Sequence, residues 1–430
     1  MARNGATETL ERAAPLCVGL IGVTGYAYAY FEELTKLVEK GLVVWGAVTI
    51  INPEQAAEQV AFFKSIDVPI YDDYREMLEK EDGKLNWVCI PTAISWHTEM
   101  TLDSLRRGLP VLLEKPVTST LQEVKAIQDA EKESGKAVAI GFQYYYCPTT
   151  AEIKKRLLSG VIGKIERIDC LCLWPRDTDY YHRNDWAGCV HDGHGWVLDS
   201  PLHNALSHLI NLILFFAGPS LEERADLLDV AAELYRAKDI QNYDTIRCET
   251  KLSTGPHASV LLSHSSVKCI DPEIRIEGSK GTFIWRYFGT HTIETEDGTE
   301  YLESDSPLEV RACMFDKIVR LLHGDTSVHV CTTELAKGEV KWVNAVQDAA
   351  VVHDVPNEYR RQLTGENGEI FETIDQLDDY AVSAYNDRCS FKALGVPWAV
   401  EPTYIELSDY RGFEARHFTS EESASMLKKT

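Results

Sequence analysis

The stretch CVGLIGVTGYAYAYFEELTKLVEK, residues 17–40, reads as a strand followed at once by a helix. Cys17–Gly22 is a short apolar run ending in glycine, the pattern of a strand buried on both faces. From Tyr26 to Lys40, Phe31, Leu34, Leu37 and Val38 recur at helical spacing. The chain then repeats this unit. LVVWGAVTII (42–51) is a second strand, and Asn52-Pro53-Glu54 predicts an N-cap, a proline at the first helical position and an early acid. VPIYDD precedes the helix DYREMLEKE, and NWVCIP (86–91) precedes SWHTEMTLDSLRRG, which Gly108 stops. PVLLEKP (110–116) leads to a helix opened by the capping box Thr120–Glu123 and ended at Gly135, and KAVAIGFQ closes the series. Six strands with intervening helices predict an α/β, doubly wound parallel sheet.

From residue 165 the pattern changes. KIERIDCLCLW, YDTIRCETKL, ASVLLSHSSV and EIRIEGSKGTFIW alternate as antiparallel strands do. At 430 residues two domains are expected. The reading gives a flexible N-terminus (1–15), a Rossmann domain (16–141) and an α+β domain with a large open, mostly antiparallel sheet (142–358). A helical extension (359–430) packs back on the body, and the tail TSEESASMLKKT is expected to be flexible. The net charge of −24 argues against nucleic acid as a partner. No apolar run reaches the roughly 18 residues of a membrane span, and no signal peptide is apparent at the N-terminus. Eleven cysteines without CxxC pairs read as reduced core residues, which places the protein in the cytoplasm.

In doubly wound sheets ligands bind beyond the carboxyl ends of the strands. Those ends are Gly22-Val-Thr24-Gly25-Tyr26, Ile51-Asn52, Pro91-Thr92 and Glu114-Lys115-Pro116. Gly22 and Gly25 permit a tight turn onto a helix N-terminus, which attracts phosphate. Thr24 and Ala27 stand where a GxGxxG fingerprint has its second and third glycines. No acid closes the second strand, where Asn52 is the nearest polar group, so NAD and NADP both stay open.

Glu114-Lys115-Pro116 after an apolar strand, with VCIPTAISWH (88–97) one unit earlier, resembles the glucose–fructose oxidoreductase / inositol dehydrogenase / MocA (Gfo/Idh/MocA) family. GFQYYYCP (141–148), SGVIGKIERIDCLCLW (159–174), NALSHLINLILFFAG (204–218) and IRIEGSKGTFIW (274–285) resemble its crossover, first second-domain strand, active-site helix and late hairpin. The resemblance implies an NAD(P)-dependent enzyme acting on sugars, polyols or related ring alcohols. Lys115 is then expected to bond the reacting hydroxyl and the nicotinamide ribose, with Glu114 and Pro116 holding its turn. Cofactor contacts are expected from Gly22, Thr24, Gly25, Tyr26, Asn52, Pro91, Thr92, His97, Glu114, Lys115 and Gln143. On the active-site helix the family's Asp, His and second acid fall on Asn204, His208 and Asn211. Tyr145 stands where an arginine is common. Sheets of this kind form the dimer or tetramer face in that family, so a homo-oligomer is expected.

Taking a hydride from an alcohol also requires removing the hydroxyl proton. His208 suits that duty by its titration range, while Lys115 stabilises the developing alkoxide and Asn204 orients a substrate oxygen. In WPRDTDYYHRNDWAG (174–188), Tyr181, Arg183 and Trp186 combine an aromatic platform with forked donors and are candidate sugar contacts. His191, Asp192, His194, Asp199, His203 and His208 are ligand-type residues, but their spacing matches no compact zinc motif, and no metal is expected. An oxidoreductase acting on a small sugar-like molecule is the leading reading. A glycosidase or lyase that oxidises its sugar transiently is the second, and a non-catalytic nucleotide or sugar sensor the third.

Overall fold

The computed structural model describes residues 14–418. The stretches 1–13 and 419–430, which hold most of the two termini expected to be flexible, lie outside the described residues. The chain forms two compact units. Of the described residues, the first comprises 14–118, Glu123–Cys147 and Pro307–Ala336, and the second Ser119–Gln122, Pro148–Ser306 and 337–418.

The first unit alternates β1 (Leu16–Ile21), α1 (Ala27–Glu39), β2 (Val43–Thr49), α2 (Ala57–Ser65), β3 (Ile70–Tyr71) and α3 (Tyr74–Lys80). It continues with β4 (Trp87–Ile90), α4 (Ile94–Arg106), β5 (Val111–Leu113), α5 (Leu121–Ser134) and β6 (Val138–Ile140). The strands lie in the order β3-β2-β1-β4-β5-β6, every neighbouring pair parallel. Strand order reverses between β1 and β4, which puts the ligand crevice of such a sheet beside the first turn. Ala29, Tyr30, Glu33, Leu34 and Leu37 form the buried stripe of α1, which includes Leu34 and Leu37 of the expected spacing, whereas Phe31 and Val38 are half-buried at its margins. The edge of β6 is covered by residues 331–332, with the Ile140 N–H donating to the Cys331 carbonyl at 2.8 Å.

Two local expectations are corrected. Asn52-Pro53 does not open a helix, because residues 53–56 form turns closed by Gln55 N–H to Asn52 O and Ala56 N–H to Pro53 O, and α2 begins at Ala57. The sequence boundaries also assign Pro307–Leu322 to the second domain. That helix belongs to the first unit, where Phe315 meets Tyr30 edge-on with centroids 5.2 Å apart.

The second unit contains α6 (Pro148–Leu158), β7 (Ile165–Leu173), α7 (Thr178–His182), α8 (Ser207–Ala217), β8 (Asp229–Arg236), β9 (Thr245–Lys251) and β10 (His257–Ser263). Then come β11 (Ile270–Gly278), β12 (Gly281–Arg286), β13 (Thr290–Thr295), β14 (Gly298–Glu303) and β15 (Val352–Asp354), followed by the hairpin β16 (Arg360–Thr364) and β17 (Ile370–Ile374), and finally β18 (Thr403–Glu406). A ten-stranded sheet runs β14-β13-β12-β11-β7-β10-β9-β8-β15, with β18 also on β8. Most pairs are antiparallel, but β7 with β10 and β8 with β15 are parallel. Alternation reveals which face a side chain takes and leaves the partner's direction undetermined.

Ile168, Cys170 and Cys172 are buried at alternate positions of β7, and α8 packs on β7 and β11. Leu209 to Ala217 of α8 are buried without interruption, so this helix is core on every side. Leu171, Leu173, Leu261 and Tyr235 join a cluster with Ile374, Leu377, Phe391 and Trp398 from the C-terminal segment. That segment was read as helical. It holds one helix, Leu377–Asp387, beside the β16–β17 hairpin and β18. An assembly through the sheet surface that carries Leu171 and Leu261 would have to displace these residues.

Candidate active site

In the first unit, β1 delivers the chain into the turn 22–26 at Gly22, whose N–H donates to the Thr49 carbonyl of β2 at 3.0 Å. Gly22 has φ +93° and Gly25 φ +60°, values that L side chains adopt only with strain. A Cβ added at Gly25 would meet nothing within 4 Å, so the backbone there borders open space. This is the cradle a pyrophosphate requires, and the residues fit a dinucleotide. Tyr26 donates its hydroxyl to Gln143 Oε1 at 3.2 Å, bringing together two of the expected cofactor residues. Thr24 is exposed in the same turn, and Asn52 is exposed beyond the end of β2.

Glu114 and Lys115 follow β5 directly. Glu114 is buried and accepts the Tyr30 hydroxyl at 2.6 Å. Burial pushes its carboxyl from 4.5 up to about 7, against the opposing pull of Lys115, Tyr30 and Arg311. A Cβ at Gly141 would lie 2.5 Å from Glu114 Oε2, so the glycine leaves room for the carboxylate. His97 is fully buried, with Nδ1 2.9 Å from the Pro116 carbonyl and Nε2 3.1 Å from the Thr92 carbonyl. Burial lowers its pKa to about 4, so at neutral pH the ring is uncharged and its single N–H donates to one of these two carbonyls, at the end of β4 or in the Glu114-Lys115-Pro116 turn. Pro91 is buried at that strand end, while Lys115 is half-buried. Tyr145 is buried in the turn Gln143–Tyr146.

In the second unit His208 lies half-buried in the first turn of α8, and Asn204 is half-buried just before it. Asn211, one turn on, is buried. Asp199, missing from the sequence-derived site, organises this region. Its Oδ1 accepts the Asn204 amide at 2.8 Å and its Oδ2 the Gly188 N–H at 2.5 Å. Burial raises its pKa, while Gly188 and the nearby Arg183, Asn204 and His203 oppose the rise. A carboxylate therefore stands beside Asn204 although position 204 itself carries none. The one available signal was an acid in a histidine-rich segment, and nothing local tied it to Asn204.

Tyr181 bonds His264 Nδ1 at 2.8 Å, and the Arg183 guanidinium lies 3.6 Å from the Tyr180 ring centroid and 5.5 Å from that of Trp186. The three expected sugar contacts thus share one neighbourhood, with Arg183 and Tyr181 both within the electrostatic reach of Asp199. Among the described residues no three His, Cys, Asp or Glu are grouped to hold a metal ion. Among them, too, no helix is long and apolar enough to cross a membrane.

Residues 16–142 match the model of the Gfo/Idh/MocA oxidoreductase family with its NAD-binding Rossmann fold, and residues 150–284 match the Gfo/Idh/MocA C-terminal domain. The chain belongs to this family. Among its Gfo/Idh/MocA relatives, the inositol 2-dehydrogenase of Serratia proteamaculans is 28% identical over 202 residues, 46% of this chain and 53% of that protein. The chain thus spans about half the length of the curated relatives matched most strongly. The inositol 2-dehydrogenase of Klebsiella pneumoniae is 26% identical over 404 residues, covering 91% of this chain and 97% of that protein. Among solved structures, the WlbA dehydrogenase from Bordetella pertussis, in complex with NADH and UDP-GlcNAcA, superposes with a TM-score of 0.63 at 19% identity. The match covers 77% of this chain and 95% of that one. An inositol dehydrogenase homolog from Azotobacter vinelandii, complexed with NADH and myo-inositol, gives 0.63 at 15% identity over 78% and 95%. At such identities the likeness is one of fold.

Proposed function

We propose that this Gfo/Idh/MocA protein is an NAD(P)-dependent oxidoreductase that moves a hydride between nicotinamide and a secondary alcohol or ketone of a sugar, polyol or glycoside. The observation that carries the reading is the first unit's turn at Gly22 and Gly25, beside a strand end that presents Glu114-Lys115-Pro116. Relatives named inositol 2-dehydrogenase support the substrate class. A bound nicotinamide would supply the hydride acceptor or donor. Gly22, Thr24, Gly25 and Tyr26 would hold it, with Asn52 at its ribose.

The protein's own part is to bind, orient and move a proton. Lys115 stabilises negative charge as it develops on the substrate oxygen. Glu114, held by Tyr30, and His97, buried between the Pro116 and Thr92 carbonyls, fix the turn on which Lys115 stands. His208 takes the hydroxyl proton. Asn204, anchored on Asp199, bonds a substrate hydroxyl, while Tyr181, Arg183 and Trp186 receive the ring. Any homo-oligomer would assemble through surfaces other than the sheet surface covered by residues 374–399.

The test is turnover of NAD and NADP with a polyol and sugar panel by wild type, Lys115→Met and His208→Asn. The expected result is near-ultraviolet absorbance growing with time in wild type, with each variant slowed by roughly 10²–10⁴-fold while still binding nucleotide. Wild-type rates in either variant would overturn the assignment of that residue.

A further inference from the structure

Beyond the end of β7, and containing none of the residues assigned to hydride transfer, lies a cavity of about 630 Å³. Its walls come from Trp174 and Arg176 after β7, Ser266 after β10, Tyr287 and Phe288 after β12, and Phe371 of the β16–β17 hairpin. The size falls within the range of small-molecule pockets, which are mostly apolar with a few fixed polar groups. The aromatic rings stand edge to face. Trp174 and Tyr287 have centroids 5.2 Å apart at 88°, and Tyr287 and Phe288 4.5 Å apart at 87°. Such rings offer both faces and edges to a planar guest.

Among the described residues, Arg176 is the one basic residue in the lining, and no acid lines the cavity. Its guanidinium carbon sits 5.3 Å from the Trp174 centroid and 4.7 Å from that of Tyr180. Among the described residues it forms no ion pair, and its buried Nε has no hydrogen-bond partner. In a chain with 67 acids against 43 bases, a half-buried guanidinium without a carboxylate is a conspicuous vacancy of charge. Two further buried groups beside it lack partners among the described residues, Ser266 Oγ and His264 Nε2. Ser266 is fully buried, and His264, 2% exposed, follows β10 and accepts the Arg176 N–H at its carbonyl. A guanidinium held flat by ring faces is pre-organised for a carboxylate, which it can bind bidentately.

We propose that this cavity is a binding site for an aromatic carboxylate, with the ring between Trp174, Tyr287, Phe288 and Phe371 and the carboxylate on Arg176. The hairpin that carries Phe371 lies beyond residues 150–284, the span of the Gfo/Idh/MocA C-terminal domain match, so part of the cavity wall is built from sequence outside that match. The site is independent of the hydride-transfer reading and stands if that reading fails.

Calorimetric titration of the full chain, without nicotinamide, with 2-naphthoate and with its neutral isostere 2-naphthamide tests it. The expected result is saturable binding of one naphthoate per chain, at least tenfold tighter than naphthamide. Arg176→Gln should weaken naphthoate at least tenfold and leave naphthamide nearly unchanged, and Phe371→Ala should weaken both. The comparison of the two probes on wild type needs no variant to fold. Absence of saturable heat with naphthoate, or equal affinity for the two probes, would overturn the proposal.

Discussion

Glu114 carries a carboxyl whose burial outweighs the cation beside it, and this has a measurable consequence. Its folded value of about 7 lies above the unfolded 4.5, so between those values the folded state binds the proton that the unfolded state has lost. The stability it contributes is complete below about 4.5 and disappears as pH rises through 7. Replacing it by Gln removes that dependence while retaining an acceptor for Tyr30. Urea unfolding of Glu114→Gln and wild type at pH 4.5 and pH 8 should show the variant gaining, relative to wild type, on the order of 3 kcal/mol between the two. A constant difference would mean that the carboxyl is not desolvated. Gly22→Ala places a Cβ at φ +93° and should cost about 1 kcal/mol while abolishing nucleotide binding, read by titration with NADH. At this scale the strand-end positions of Lys115, Gly22 and Gly25 were legible, because they follow from local pattern and residue type. Asp199 was not, since its bond to Asn204 depends on the path of the loop between Gly188 and α8.

Among the elements, α8 ends in a way its own sequence does not provide for. The carbonyls of Phe216 and Gly218 at its C-terminus accept the buried ammonium of Lys154 from α6, the Phe216 bond at 3.1 Å. Burial lowers the Lys154 pKa to about 8. A cation at a helix C-terminus also complements the helix dipole. Lys154→Met keeps the stem and leaves both carbonyls without that donor, which should destabilise the protein by about 2 kcal/mol. Thermal unfolding should show a fall in Tm, and an unchanged Tm would contradict the capping role. Helix positions followed from periodicity, while the structure adds a cap at Asp73, whose carboxylate accepts the Arg75 N–H at 2.7 Å. The start of α2 was misjudged because Asn52-Pro53 suits a turn as well as it suits a helix entrance. The parallel pairing of β7 with β10 was illegible for a different reason. It joins strands about ninety residues apart, and such pairing leaves no local trace.

Across the whole molecule, the six-stranded unit was readable from its repeated βα pattern, whereas the C-terminal segment was read only as helix. Its hairpin and its core side chains are defined by the sheet they cover. Trp398 stands 4.8 Å from Tyr235 and 5.4 Å from Phe391 in that cluster, so Trp398→Ala should destabilise by roughly 3–5 kcal/mol and raise binding of a hydrophobic dye. An unaltered denaturation midpoint would show that the segment adds little to the second unit. The family, the two-unit chain and the strand-end lysine together support one central claim, that the protein oxidises or reduces a secondary alcohol with nicotinamide. The most direct measurement is near-ultraviolet absorbance when purified protein meets NAD or NADP with a panel of inositols, sugars and glycosides. The account predicts a steady rise with at least one of them, absent in Lys115→Met. No rise with any compound and either nucleotide, in protein shown to bind the nucleotide, would contradict it.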